Sequence, residues 1–571
     1  MTCISFPFFS KHKAAVAAVG LFVVSVGVFW PSLSFEFLSV DDSVQITKNP
    51  HVRSGLTKDS VRWAFQPDSF FSKIEPYTWR IPLVFLSHML DVEIYGLNPE
   101  GHRLTNVLLH AASAAFFFLF LFRITGRLDC SLLAAALFSA HPMKVESVVW
   151  LAERKDVLSG FFVGLTLLAY ANYISKPGWK LYAAILIFYT LGLMSKASIV
   201  ALPLGMMAFD FWPLKRFRWG DRSTILKSFL EKIPLFILSL IAGVITMAGS
   251  TFIVTNIKPF NASHIIEISL NRCFDYLTRT IWPVNLAFLY PLTPDSLSLW
   301  RSIQAFISVV GLTAIFSAQY VKRPYLIAGW LWFLFNLIPS FGNIPVFHNH
   351  YTYLSSIGIF IAISWFLNEI MSRQRFWTYW IAGGLIFILS VSGTFYQMQF
   401  WRNSETLYQR ALKVTGPNVP VHVALGNLLS DQGRLDEAER HYLEALKIQP
   451  NHPLTHLGLA KVFGFKNMWE KAAFFSKTAL NLNKNLPMAH WYLGTYLYDR
   501  GEVKQAIAHY QQAIELKPDY WEAWNNLGVA MQEQGKWNEA VSCYREALKQ
   551  NPHSSEAKQN LIRALSTLRL Q

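Results

Sequence analysis

No Walker loop, dinucleotide fingerprint, GxSxG elbow or HExxH motif occurs in this chain. Nucleotide-driven chemistry and the common hydrolase and zincin sites therefore have no sequence support. Cysteine is scarce: Cys3, Cys130, Cys273 and Cys543 are scattered, and none forms a CxxC pair. That argues against a disulfide framework and a cysteine zinc site. Charge is scarce too, at 15% of residues, against about 25% in an average soluble chain. With 52% hydrophobic residues and a mean hydropathy of +0.27, a wholly soluble protein is excluded. The net charge of +15 raises a nucleic-acid reading. The basic residues lie mostly in loops between apolar runs, where they act as topology signals rather than a phosphate-binding face, so no nucleic-acid partner is expected.

Apolar runs dominate what is present. A bilayer-spanning helix needs roughly 20 apolar residues. Eleven segments approach that: 14–35, 104–122, 131–150, 157–175, 181–195, 197–214, 233–257, 302–321, 324–347, 351–368 and 376–401. The first follows Lys11 and Lys13 without a clear small-residue cleavage site, as in a retained signal anchor. Segment 264–283 carries Glu267, Arg272, Asp275 and Arg279 and reads as an interfacial or partly buried helix. With the N-terminus inside, the inside loops hold about twice as many Lys and Arg as the short outside loops. Eleven spans then place the first loop, 36–103, and everything after 401 outside.

After Trp401 the pattern becomes polar and helical with a period of 34 residues. Pro450, Lys484, Pro518 and Pro552 mark one position. Gly426, Ala460, Gly494 and Gly528 mark a second; Ala438, Ala472, Ala506 and Ala540 mark a third. Ala445, Ala479, Ala513 and Ala547 mark a fourth, and Tyr442, Tyr510 and Tyr544 recur with Ser476 breaking their series. This is the tetratricopeptide repeat (TPR) period and pattern. The expected fold class is all-α: a polytopic transmembrane bundle over 1–401, then an α-solenoid over 402–571. Its repeats are 419–452, 453–486, 487–520 and 521–554, with a half-repeat at 403–416 before them and a capping helix at 555–569 after them.

Three clusters could carry chemistry. The adjacent carboxylates Asp41 and Asp42 begin the first outside loop, where a carboxylate is solvated, paired or functional. Its bland reading is a turn or helix cap. His141, Lys144, Glu146, Glu153, Arg154 and Lys155 surround the outer ends of two spans and could cradle a phosphate, or form snorkelling ion pairs. His348, His350, Tyr351 and Tyr353 form the third. A His-x-His pair without a nearby carboxylate or third histidine is a weak metal signal, and interfacial histidine and tyrosine is the favoured reading. Lys196 is a lone outer cation, and Arg80 lies in the first loop.

The stretches VDDSVQITKNPHVRSGLT, LSHMLDVEIYGLNPEGHRLTNVLLHA, ALFSAHPMKVESVVWLAERKDVLSGFF, LGLMSKASIVALPLGMMAFDFWPLKR and HYTYLSSIGIF follow in the order of one known group. They resemble the transmembrane-and-TPR protein O-mannosyltransferases of the GT-C glycosyltransferase superfamily, with wording most similar to its bacterial branch. The resemblance covers nearly the whole chain. It implies an enzyme of the bacterial inner membrane that moves a sugar from a polyprenyl-phosphate carrier to a Ser or Thr of a protein held by the TPR groove. It implies Asp41 or Asp42 as catalytic base. It leaves Arg80, His141, Lys144, Glu146, Glu153, Arg154, Lys155, Lys196, His348, His350, Tyr351 and Tyr353 as donor or acceptor contacts. No metal or cofactor is expected; a divalent cation on Asp41 and Asp42 has no support. The group often reads Asp-Arg where this chain has Asn349-His350, which removes a bidentate phosphate donor. Lys196 is followed by Ala197 rather than proline or glutamate. The alternatives are a non-catalytic TPR scaffold for an envelope complex and a glycan ligase or polymerase.

Overall fold

The computed structural model describes residues 8–65, 81–217, 220–254, 262–291, 298–341, 346–371 and 376–570. The chain forms two compact units, Met1–Val414 and Thr415–Gln571. Both are helical. The one strand pairing among the described residues is a two-residue antiparallel bridge, Tyr290–Pro291 with Val346–Phe347. The architecture is all-α, a bundle of apolar helices followed by a TPR solenoid.

Six described helices are long and apolar enough to cross a bilayer: His12–Ser34, Pro99–Thr125, Leu151–Ser175, Leu299–Ala318, Asn349–Met371 and Trp377–Trp401. Each covers one expected segment. Two further expected segments contain or follow a bend. Segment 131–150 becomes Leu128–Ala140 and Pro142–Val149, at 52° to each other. The cause is Pro142, which holds His141 in extended backbone at φ −79° and ψ 138°. Segment 233–257 follows a 56° bend after Arg222–Glu231, just before Pro234, and its residues 255–257 lie outside the described set. Trp179–Ser195, Ala197–Phe211 and Pro324–Ser340 are shorter apolar helices. The Ala262–Ile281 helix buries Cys273, Tyr276 and Leu277 against Trp330, Phe333 and Ile359.

Buried polar groups lock both bends. His141 Nδ1 accepts from the Met143 N–H at 3.3 Å. The Lys144 ammonium is wholly buried and donates to Thr352 O at 3.1 Å, Tyr353 O at 2.8 Å and Ser356 Oγ at 2.6 Å. At the second bend, buried Asp210 pairs with Lys232 at 2.5 Å and accepts from Tyr170 and Ser228 at 2.5 Å each. A buried charge needs such partners, because desolvation without them costs several kcal/mol, on the order of the whole stability of a domain.

In the second unit three of the four repeats pack a tyrosine ring under a glycine, and the repeat carrying Ala460 and Ser476 is the exception. A Cβ on Gly426 would lie 2.7 Å from the Tyr442 ring, one on Gly528 2.6 Å from Tyr544, and one on Gly494 2.9 Å from Tyr510. Ring N–H groups link successive repeats. His456 Nε2 donates to Pro450 O at 2.9 Å, His490 Nε2 to Lys484 O at 3.1 Å, and Trp524 Nε1 to Pro518 O at 2.8 Å.

A close helix crossing in the first unit joins Pro324–Leu337 to Thr352–Met371, where Gly329 and Gly358 touch backbone to backbone. Small residues permit such an approach between apolar helices. Gly358→Val inserts a side chain into the Gly329 carbonyl and separates the helices. Overpacking of this kind costs about 1–3 kcal/mol. Thermal unfolding in detergent should fall by several degrees, whereas the same change at Gly384, which has open space around it, should leave it unchanged.

Candidate functional site

The site begins at the corner carrying Asp41 and Asp42. Asp42 is wholly buried. Its Oδ2 accepts from the Leu38 N–H at 2.9 Å and its Oδ1 from the Ala152 N–H at 2.9 Å. One carboxylate thus ties the first loop to the turn before the Arg154–Ser175 helix. Arg103, also wholly buried, holds the same strand of chain. Its guanidinium donates to Phe35 O at 2.5 Å, Glu36 O at 2.9 Å and Val149 O at 3.1 Å. Trp150 Nε1 donates to Val40 O at 3.0 Å. The Ser39 N–H donates to Ser404 Oγ at 2.7 Å, and Ser39 Oγ and the Tyr408 hydroxyl lie 2.8 Å apart. Asp41 sits on top of this corner, exposed, with its backbone in the left-handed region at φ +57°. A non-glycine residue there costs of order 1–3 kcal/mol and persists only where its surroundings over-determine it. The two neighbouring carboxylates, indistinguishable in the sequence, therefore have different environments. Asp42 is an anchor, and Asp41 faces out.

Asp41 lies near enough to Lys155 to be among the charges acting on it. Lys155 pairs with Glu153 at 2.8 Å, and Lys196 pairs with Asp156. Ser147 Oγ donates to Asp156 at 2.9 Å. His350 Nδ1 donates to Glu146 at 2.7 Å and lies 3.8 Å from Glu153. Glu146 also accepts from the Asn349 N–H at 3.3 Å and approaches His348 Nδ1 at 3.7 Å. The Tyr351 ring lies against His350 with centroids 4.5 Å apart and planes tilted by 39°, and the Lys196 ammonium lies 5.4 Å from the Tyr351 centroid. Asp156, Ser159, Lys196, His350, Tyr351 and Tyr353 help line a cavity of about 20 Å³. Glu146, Glu153, Lys155, Lys196, His348, His350 and Tyr351 thus meet, as the separate sequence clusters cannot show.

Other expected site residues are packed inside. Arg154 is wholly buried. It pairs with Asp91 at 2.5 Å and donates to Asn106 Oδ1 at 2.6 Å and His102 O at 2.5 Å. Lys144 and His141 secure the bend described above. The Tyr353 hydroxyl donates to His110 Nδ1 at 2.9 Å, since His110 Nε2 is committed to Ser139 O at 3.0 Å. Arg80 lies outside the described residues.

The site also draws on residues that the sequence placed only as charges of an interfacial or partly buried helix. Arg279 places a guanidinium nitrogen 3.4 Å from Asn349 Oδ1 and its carbon 3.6 Å from the Tyr290 ring centroid. Arg272 donates to Ser340 O at 2.9 Å and acts electrostatically on Tyr351. No local pattern marks either as part of the cluster; roughly 70 residues separate them from 340–351. Glu146 supplies the carboxylate that the His348–His350 pair lacks in sequence. The groups Glu146, His348, His350 and Glu153, Asp156, His350 have ligand atoms close enough for a metal. Lys155 and Lys196 already neutralise two of those acids, and His348 Nδ1 donates to Phe288 O at 2.7 Å. These partners oppose a cation there.

The tetratricopeptide repeat family matches residues 419–452 and 521–554, and a TPR repeat family matches 494–535. Human protein O-mannosyl-transferase TMTC1 is 23% identical over 72% of this chain and 52% of its own length. Mouse protein O-mannosyl-transferase TMTC2 is 37% identical over 17% of this chain and 12% of its own length. The chain is a relative of the TMTC protein O-mannosyl-transferases. It spans about half the length of the TMTC1 relative it matches along most of its sequence. Among solved structures, YrrB, described as a TPR protein with an unusual peptide-binding site, is 23% identical over 28% of this chain and 84% of its own, with a TM-score of 0.25. Apolar helices and relatives together make this a multi-pass membrane protein.

Burial pushes the Asp42 carboxyl up to about 7, against the pull of the Leu38 and Ala152 N–H groups and of Arg103, with the Asp41 charge adding to the rise. Its folded-state value thus lies above the unfolded value. Between about pH 4 and pH 7 the folded chain keeps a proton that the unfolded chain has released. This contribution to stability is full at the acid end and is lost as pH rises through about 7. Asp42→Ala lacks it. The stability difference between wild type and Asp42→Ala should therefore shrink from pH 4 to pH 7 and level off above. A difference that grows with pH would contradict the assignment.

Proposed function

We propose that the protein is a membrane glycosyltransferase that transfers a sugar from a polyprenyl-phosphate carrier to a Ser or Thr hydroxyl of a protein bound by its TPR unit. The observation that carries this reading is the juxtaposition of exposed, strained Asp41 with a cluster of lysines, acids and His350 at the ends of apolar helices. Asp41 is the base: it takes the acceptor hydroxyl proton as that oxygen attacks the anomeric carbon. The bond from that carbon to the phosphate oxygen breaks, and the electron pair leaves on the carrier phosphate. Lys155 and Lys196 meet the developing charge. Arg279, beside Asn349, restores a guanidinium near the position where the resemblance expects one.

An apolar groove of about 450 Å³ between the Trp179–Ser195 helix and the start of Ile233–Val254, lined by Leu186, Ile187 and Ile237, suits an isoprenoid segment. In this reading the N-terminus is cytoplasmic, and the cluster and the TPR unit face the outside of a bacterial inner membrane. One observation favours the non-catalytic alternative. The cavity in the cluster is about 20 Å³, and both lysines already hold carboxylates. Donor binding must therefore displace those carboxylates.

Two experiments test the proposal. Asp41→Asn removes the proton acceptor and should lower transfer of labelled sugar from a polyprenyl-phosphate donor by about 10² to 10⁴ with unchanged thermal stability. Wild-type rates in Asp41→Asn would refute the base assignment. Deleting 419–571 should leave the first unit folded and binding donor while transfer to the protein acceptor falls. Undiminished transfer would refute acceptor recruitment by the repeats.

A further inference from the structure

We propose that the end of the bundle carrying the Arg222–Glu231 helix docks on a membrane surface of anionic phospholipid headgroups. Four helix ends meet there: the end of Arg154–Ser175, the start of Trp179–Ser195, the end of Leu202–Phe211 and the bend between Arg222–Glu231 and Ile233–Val254. Polar contacts draw them together. The Tyr170 hydroxyl donates to Asp210 at 2.5 Å, the Tyr182 hydroxyl donates to Glu231 O at 2.6 Å, and Lys232 pairs with Asp210 at 2.5 Å.

The charges at this end divide into two sets. Arg216 pairs with Glu231 and Asp210, and Lys232 with Asp210, so the enclosed charges neutralise one another. Lys176, Lys180, Lys215, Arg222 and Lys227 are exposed, and none pairs with a carboxylate among the described residues. The exposed carboxylate beside them, Asp221, is spent as a helix cap: its Oδ1 accepts from the Ser223 and Thr224 N–H groups at 3.1 and 3.4 Å. A surface rich in uncompensated cations is left, and its complement is a surface of negative charge.

The apolar groups say what kind of surface carries that charge. The Arg222–Glu231 helix packs inward through Ser228, which is buried and donates to Asp210 at 2.5 Å. At 3.6 residues per turn, Leu226 and Leu230 fall on the opposite side, and they are 54% and 49% exposed. This outward apolar face continues past the bend into exposed Ile237, Leu240 and Ile241 of the next helix. Trp179, 78% exposed, opens the neighbouring helix, with the Lys180 ammonium 5.9 Å from its ring. Exposed tryptophan beside lysine is the chemistry of the headgroup layer. A helix with an apolar outer face and cations alongside lies in that layer, and the 56° bend turns Arg222–Glu231 off the axis of the following span. The apolar face fits any phospholipid; the cations select an anionic one. Each Lys or Arg near an anionic surface strengthens binding about fivefold. This end lies at the far end of the Arg154–Ser175 helix from the Asp41 corner. The docking therefore does not rest on the sugar-transfer reading.

The test is hydrogen–deuterium exchange of the full chain in nanodiscs. Discs of phosphatidylcholine are compared with discs of phosphatidylcholine and phosphatidylglycerol in equal parts. Exchange of the 222–231 amides should be at least about fivefold slower in the anionic discs. The difference should fade between about 0.1 M and about 1 M salt, as the screening length falls from about 10 Å to about 3 Å. The double variant Arg222→Gln with Lys227→Gln should lose it, and free glycerol phosphate added to phosphatidylcholine discs should not produce it. The comparison of discs uses the wild type and needs no variant to fold. Equal exchange of the wild type in both discs would overturn the proposal. So would a difference that survives high salt or the double variant, and so would protection by glycerol phosphate, which marks a site for a soluble anion.

Discussion

The site depends on one buried carboxylate. Asp42 spends both oxygens on backbone N–H groups of two segments more than 100 residues apart in sequence, Leu38 and Ala152. Arg103 reinforces that joint by gathering three carbonyls from the same two segments. With the corner closed, the next residue back in the chain has nowhere to go but outward, and Asp41 takes a left-handed backbone. Such strain is held only by a rigid frame. Asp41 therefore owes its position to groups that do no chemistry of their own.

The polar interior around this joint is extensive for an apolar bundle. Lys144 on three oxygens, Arg154 on Asp91 and Asp210 on Lys232 are each fully or nearly fully enclosed. Each would be expensive alone, and each closes a bend or joins helices that apolar packing alone would leave free to slide. Bent helices are needed to bring residues from 146, 153, 196 and 350 to one end of the bundle. The cluster exists because Pro142 breaks a helix and Lys144 fixes the break.

Much of this was legible in the sequence. Hydropathy found the apolar helices, and the 34-residue period found the repeats, because both depend on local periodicity. The residue types of the cluster were also visible. What could not be read was division of labour. Asp41 and Asp42 differ by one position and opposite exposure, and only the long-range joint to Ala152 decides between them. Arg154 and Lys155 are neighbours, yet one is locked on Asp91 and the other reaches Glu153. Arg272 and Arg279 looked like interfacial charges, because their partners near Ser340 and Asn349 lie about 70 residues away. Helix ends at proline were misplaced for the ordinary reason that an apolar run continues through a bend.

The most direct measurement of the central claim is an experimental structure of the purified chain with a polyprenyl phosphate bound. The account predicts the phosphate between Lys155 and Lys196, with the Glu153 and Asp156 carboxylates displaced and Asp41 facing the same space. A headgroup bound instead at the bend held by Asp210 and Lys232, with the Lys155–Glu153 pair intact, would contradict it.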